Sequence, residues 1–431
     1  LNQLKPLDPN RMEIFKFGGA SIKDAPAMKN VASILQQQGV KSLLIVVSAL
    51  GKTTNALENV VNLHAQGQTQ AALEALHAIQ QGHEQILQDL GISKEHTIYA
   101  DLHDTFMDAE WVLEEPPHDD FDYMYDQIVC IGELASTKML AAYLQHLGLA
   151  CTWVDVRDCI RTDNNYRDAN VDWSLTEKQI QQRIPKLLAQ GWVLTQGFLG
   201  SSSENFSTTL GREGSDYTAA IFSYCLNAQR MSIWKDVPGV LAADPRKFDN
   251  PPKLDLVSYE EAIEMTYYGA QVIHPKTLQP LQSKNIPLWV RSFVQPDSAG
   301  TVVSSQTGLS YPPIFVVKEQ QALLKISAKD FHFIDEERFA RLFSSLAQHR
   351  IKVNMTQNTA LGFAIAVNDQ PKRLELLMAE LAAEYHLELI RGLALLTIRH
   401  GDDALFNQQA QGKQILLEER IGPTAKLLYP V

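Results

Sequence analysis

VVSALGKTTNAL, residues 46–57, continues an apolar run, SLLIVV, and sets Gly51-Lys52-Thr53 where a phosphate-binding loop would turn into its helix. A Walker A loop needs a second glycine five positions before Gly51, and Val46 stands there. Without that glycine the backbone does not wrap a phosphate in successive amides. The stretch therefore reads as a buried strand, a turn and a helix. Either it is an ordinary strand-to-helix connection, or it belongs to another nucleotide-handling design.

The surrounding sequence repeats this rhythm. MEIFKF (12–17) has the pattern of a strand, and a helix follows with Ala27, Val31, Ile34 and Leu35 on one face. SLLIVVS (42–48) is continuously apolar, as expected of a strand covered on both faces. Residues 55–115 are mostly helix formers, a helical elaboration closed by EEPPHDD (114–120). Another helix spans 124–147, and strands are expected in LACTWVDV (149–156), WVLTQGFLG (192–200) and RMSIWKDV (230–237). The alternation predicts an α/β fold, an αβα sandwich on a largely parallel sheet.

SSQTGLSYPP (304–313), rich in small residues and proline, marks a boundary between a domain over 1–303 and a region over 314–431. Beyond it, ALLKIS is a strand, and a helix carries Phe339, Leu342, Phe343 and Leu346 on one stripe. IKVNMT and GFAIAV are two strands, and a second helix turns Leu374, Leu377, Met378 and Leu381 inward. HLELI and LALLTI follow as further strands. The order βαββαβ is that of a ferredoxin-like unit.

The 431 residues are 45% hydrophobic and 20% charged with a net charge of −12, a globular composition whose acidity argues against nucleic acid as a partner. No apolar stretch approaches the ~20 residues that span a bilayer. The first residues lack the pattern of a signal peptide, so a cytoplasmic location is expected. Cys130, Cys151, Cys159 and Cys225 have no metal-ligand spacing and sit among apolar neighbours, as structural reduced thiols do.

Several places carry chemistry. Lys16 ends the first strand, with Gly18-Gly19 after it and a helix beyond: either an anion-binding turn or a plain glycine-rich connection. In STTLGREGSDYTAA (207–220), Arg212 between two glycines suits a bidentate carboxylate contact. Asp216 there either serves a metal or caps the helix. Glu133 lies inside an apolar helix, IVCIGELAS, as an edge residue or a ligand group, and Gly132 beside it leaves room for a small ligand. His274-Pro275 reads as a hydrogen-bonded turn, and no histidines have metal-ligand spacing.

Taken in order, KFGGAS (16–21), VVSALGKTTN (46–55), GFLGSSSENFSTTLGREGSD, KDVPGVLAADPR and SYEEAIEMTYYGAQVIHPKTL resemble the motifs of the aspartate kinases, within the amino-acid kinase family. The βαββαβ tail resembles the ACT regulatory domain that follows such kinases. The opening stretch is then the substrate-side loop of a kinase that has no P-loop. The resemblance implies ATP-dependent phosphorylation of the side-chain carboxylate of L-aspartate, with Mg²⁺ bound mainly through the ATP phosphates rather than by protein ligands. It implies that Ser48, Thr54, Glu133 and Arg212 hold the amino acid: Arg212 clamps a carboxylate and Glu133 faces the ammonium. Lys16, Gly18 and Gly19 would hold the transferring phosphoryl group, with Ser21 beside them, and Asp216 would organise the reacting groups. Asp236, Arg246, Lys235 and Gln271 fall on the nucleotide side. A homodimer built through the ACT-like region is also implied.

Departures from the family fall on that nucleotide side. Lys235 replaces a threonine, Leu241 a tyrosine, and Gln271 a lysine. Lys235 either substitutes for the lysine absent at Gln271 or points to solvent. After LALLTIRH about thirty residues remain, fewer than a second ACT unit needs. Two other readings are a kinase for another acidic amino acid and a catalytically weak, amino-acid-binding regulatory paralogue.

Overall fold

β1 (Glu13–Phe17) and β2 (Leu43–Val47) are buried at every residue, which places both inside a sheet covered on its two faces. The computed structural model describes residues 12–270, 273–329 and 335–431. The expectations for the N-terminal residues and for Gln271 lie outside them. The chain forms two compact units. One comprises Leu1–Val240, Lys253–Ile263 and Ile273–Leu309; the other comprises Leu241–Pro252, Glu264–Val272 and Ser310–Val431.

In the first unit, α1 (Ala25–Gln38) joins β1 to β2. Asp24 caps α1 by accepting from the Ala27 N–H at 2.8 Å, and Gly39 closes it in the left-handed region at φ 59°. Three helices follow, α2 (Thr53–Ala65), α3 (Thr69–Asp89) and α4 (Ile98–Glu114), matching the expected helical elaboration. α5 (Phe121–His146) is buried for most of its length, as a helix apolar on all sides must be. Next come β3 (Cys151–Val154), α6 (Trp173–Leu188) and β4 (Trp192–Gln196). The run 192–200 is two strands and not one. The backbone turns at Phe198, which has φ 69°, and a hairpin of β5 (Leu199–Ser201) and β6 (Ser207–Thr209) begins.

α7 (Gly214–Cys225) leads to β7 (Arg230–Lys235) and to three short strands, β8 (Val240–Leu241), β9 (Lys253–Leu254) and β10 (Leu256–Ser258). Then α8 (Tyr259–Tyr268), α9 (Pro275–Ser283), β11 (Leu288–Ser292) and β12 (Thr301–Ser304) follow. The eight-stranded sheet has the order β10-β12-β11-β7-β1-β2-β4-β3 and is parallel except at β11–β12. From β1 the chain crosses to β2 on one side, and β7 closes on the other. The carboxyl ends of β1 and β7 thus flank a topological switch point, where open α/β sheets bind ligands.

The C-terminal stretch of the second unit runs β13 (Ile314–Ala328), α10 (Glu336–Gln348), β14 (Val353–Asn358), β15 (Gly362–Asn368), α11 (Pro371–Leu381) and β16 (Tyr385–Arg399). Strand order β14-β15-β13-β16, antiparallel throughout, is the ferredoxin-like pattern read from the sequence. HLELI and LALLTI are one strand, β16, irregular at Gly392 where φ is 72°. The last thirty residues do not start a second unit. α12 (Asp403–Ala410), β17 (Leu417–Ile421) and β18 (Thr424–Pro430) extend the same sheet beyond β16 and bury Leu396, Ile398, Phe406 and Leu427 together. On the helical face, Leu342, Leu346, Leu374 and Leu377 pack over Leu324, Ile326, Phe363 and Ile365. Phe343, expected on that stripe, is 45% exposed.

Candidate active site

Parallel pairing aligns Lys16 of β1 with Val46 of β2 and Ile233 of β7, so three strand ends open on one place. There, within the first unit, a cavity of about 540 Å³ is lined by Lys16, Gly18, Gly19, Ser21, Ser48, Thr54, Glu133, Arg212, Asp216, Lys235 and Asp236. Eleven of the thirteen residues singled out from the sequence thus meet in one cavity. Of the other two, Gln271 is outside the described residues. Arg246 lies in the second unit, exposed, with its Nε and Nη2 donating to Asp244 at 3.0 and 2.7 Å.

Asp216 is the centre of charge. It sits in the first turn of α7, but the residue capping that helix is Glu213, so the capping alternative falls away. Lys16 Nζ lies 2.7 Å from Asp216 Oδ1, and Lys235 Nζ lies 3.9 Å from Oδ2. Burial pushes the Asp216 carboxyl up, but Lys16 and then Lys235 outweigh it and hold the group below its ordinary value. Lys235 therefore points toward Asp216, not simply into solvent.

Glu133 is the opposite case. Its Oε1 accepts the Ala49 N–H at 3.3 Å, while its buried Oε2 has no hydrogen-bond partner. Burial raises this carboxyl to about 8, against lesser opposition from the Ala49 N–H and Lys16. Gly132 does not admit a ligand: a Cβ there would stand 3.1 Å from both Ala49 Cβ and Leu57 Cδ1, so the glycine lets α5 pack closely.

The glycine-rich turn after β1 is likewise a packing device as well as an opening. A Cβ on Gly19 would meet Ala49 O at 2.7 Å and Gly51 O at 2.8 Å, and Gly51 N–H donates to Gly19 O at 3.0 Å. The first two loops are thus locked backbone to backbone. A Cβ on Gly18 would meet only Lys16 Nζ, at 3.5 Å. Ser21 donates to Trp234 O at 3.3 Å, and Ser136 donates to Ser48 O at 2.8 Å. Arg212 is exposed and has no ion-pair partner among the described residues. His274 is the turn residue expected: it caps α9 by accepting from the Lys276 N–H, and its own N–H donates to Glu213 Oε2 at 2.9 Å.

Sequence reasoning missed further lining residues, among them Tyr125, Arg167, Phe198, Glu213 and Trp234. Arg167, Phe198 and Glu213 have positive φ (66°, 69° and 56°), a feature that side-chain identity does not announce. The loop holding Arg167 is polar and without periodicity, so only its place beside the Gly211 turn reveals it.

The cavity joins cationic groups suited to phosphate and carboxylate with a buried carboxyl, Glu133, whose Oε2 lacks a partner. Its ligand needs anionic groups and a cation within reach of Glu133.

A profile of the Amino acid kinase family matches residues 11–292. The chain is 32% identical over 402 residues to the lysine-sensitive aspartokinase 3 of Escherichia coli K12, covering 90% of this chain and 87% of that protein. It is 33% identical over 300 residues to a chloroplastic bifunctional aspartokinase/homoserine dehydrogenase 1 of Arabidopsis thaliana, a match spanning 68% of this chain and 32% of that one. Among solved structures, E. coli aspartokinase III in complex with aspartate and ADP superposes with a TM-score of 0.82 at 29% identity, covering 97% of this chain and 96% of that one.

Proposed function

The chain belongs to the amino acid kinase family, and from that premise we propose the following assignment of its parts. It phosphorylates the side-chain carboxylate of L-aspartate with ATP, giving 4-phospho-L-aspartate, the first step of the pathway to lysine, threonine and methionine. The observation that carries the site assignment is the bare, buried Oε2 of Glu133 in a cavity also lined by Lys16, Arg212 and Lys235. An amino-acid ammonium supplies the missing partner.

The carboxylate of aspartate has a pKa of ~3.9, so the nucleophile is ionised at neutral pH and needs no general base. What must be overcome is repulsion between two anions. Lys16, held ready by Asp216, faces the transferring phosphoryl group, with Gly18, Gly19 and Ser21 at the turn. Arg212 fixes a carboxylate of aspartate, and Ser48 and Thr54 complete its pocket. Phosphoryl transfer then depends on positioning and charge neutralisation. Lys235 and Asp236 serve the nucleotide side.

Among the described residues no group of three or more His, Cys, Asp or Glu side chains could hold a metal. The ionised Asp216 carboxylate suits a cation that arrives on a triphosphate. Mg²⁺ held chiefly by the phosphates would neutralise their charge. We take residues 1–303 as the catalytic domain and 314–431 as an ACT-like region that regulates and pairs two copies of the chain. Among the described residues no helix is long and apolar enough to cross a membrane.

ADP release measured with aspartate, glutamate and succinate tests the reading. Aspartate should be turned over, and succinate, which lacks the ammonium, should be a poor substrate or none. Equal rates with succinate would remove Glu133 from ammonium recognition. Preference for glutamate would transfer the activity to another acidic amino acid.

A further inference from the structure

Arg167 occupies a backbone conformation that arginine rarely adopts, with φ 66°. Such outliers persist where surrounding structure enforces them, and they gather at ligand sites. Here the enforcement is visible. Asp126, fully buried on α5, accepts the Arg167 N–H at 3.0 Å, the Thr209 N–H at 2.8 Å and the Thr209 hydroxyl at 2.7 Å. One carboxylate therefore ties the Arg167 loop to the strand that leads into the Gly211–Arg212 turn. The two loops touch: a Cβ on Gly211 would lie 3.2 Å from the Arg167 carbonyl oxygen.

The Arg167 side chain lines the same cavity as Arg212, its guanidinium 4.1 Å from the Tyr125 ring centroid. Nη2 lies 3.1 Å from Glu58 and Nη1 lies 3.4 Å from Asp122, and no hydrogen bond is made by Nε among the described residues. Both carboxylates are substantially exposed, at 41% and 55% of the side chain. Exposed pairs of this kind contribute little to stability, so they do not account for a strained arginine. They do aim the guanidinium and keep it from folding back on the loop.

We infer that Arg167 is a second substrate-binding guanidinium, set beside Arg212 to hold the non-reacting carboxylate of the amino-acid substrate, with Asp126 as the positioning residue for both loops. This rests on the function proposed above. The reacting carboxylate must face Lys16 and the phosphoryl group. The other carboxylate is then left to the guanidinium side of the cavity. Two arginines on adjoining loops match a planar, two-oxygen group better than one does.

Arg167→Gly is the discriminating variant, because glycine adopts φ 66° without strain and the fold should be as stable as before or more so. Aspartate binding is read by calorimetry in the absence of nucleotide, alongside the KM values for aspartate and ATP. The expected result is an aspartate affinity at least tenfold weaker, an aspartate KM raised in parallel, an unchanged ATP KM and an undiminished Tm. Arg167→Lys should recover part of the loss, since it restores charge without the fork. If the wild type binds aspartate and Arg167→Gly binds it equally well, Arg167 has no part in recognition and the inference is overturned alone. If the wild type binds no aspartate, the proposed function falls and takes this inference with it.

Discussion

At the scale of single residues, the site sets two carboxyl groups in opposite states. Glu133 is raised to about 8 and Asp216 is held low, the difference being the presence of Lys16 and Lys235 beside the latter. The free protein therefore carries a proton on Glu133 below about pH 8, and binding an ammonium there expels it. We expect the aspartate KM to fall as pH rises from 6 to 8 and to level off above, and Glu133→Gln to raise KM and flatten that profile. The same group makes a stability prediction. Unfolded, Glu133 ionises near 4.5, so folding stability declines as pH rises through the window from about 4.5 to about 8. The ligand-free Glu133→Gln variant should accordingly melt above the wild type at pH 8.5 and close to it at pH 5. For Lys16→Ala, turnover at saturating ATP should drop by on the order of 10²-fold or more, and near-normal turnover would remove Lys16 from the phosphoryl site. Eleven residues of the cavity lining were named from the sequence, because the motifs that carry them are local. Whether Asp216 capped a helix or met a lysine two hundred residues away was not legible, because only the packing of α7 against β1 brings them together. Arg167 left no mark in the sequence, since its role depends on a positive φ and on Asp126 across the fold.

At the scale of elements, long apolar runs predicted β1, β2 and α5 well, because burial on all sides demands apolar residues on all sides. The short pieces were harder. The break at Phe198 and the single length of β16 turn on positive φ at Phe198 and Gly392, where hydrophobic pattern is silent. The close approach of the first two loops gives a sharp test. Gly19→Ala would drive a methyl to within 2.8 Å of two carbonyl oxygens that belong to backbone and cannot swing away. It should destabilise the protein by about 1–3 kcal/mol and raise the aspartate KM, since Ser48 stands on the displaced loop and Thr54 in the first turn of the helix after it. Thermal melting and steady-state kinetics read both effects. A variant with wild-type Tm and KM would mean that the two loops are not locked as described.

At the scale of the whole molecule, the chain is a kinase unit and a ferredoxin-like unit, the latter also holding the segments Leu241–Pro252 and Glu264–Val272. The two units also meet in sequence at Leu309 and Ser310, within the proline and small-residue stretch 304–313, whereas nothing in composition marks those two earlier segments. An open sheet of this type has edges that need covering, and the proposed pairing with a second copy would cover one. A chain ending at Gln306 should sediment as a smaller species than the full chain, and equal, concentration-independent masses would exclude the C-terminal stretch as the assembly element. The claim on which everything else depends is the chemistry in the cavity at the ends of β1, β2 and β7. Incubation with ATP, Mg²⁺, L-aspartate and hydroxylamine tests it most directly, because hydroxylamine traps an acyl phosphate as a hydroxamate. The expected product is the side-chain hydroxamate of aspartate, formed in step with ADP and lost in Lys16→Ala. ADP release without hydroxamate, or a hydroxamate on the α-carboxyl instead, would contradict the account.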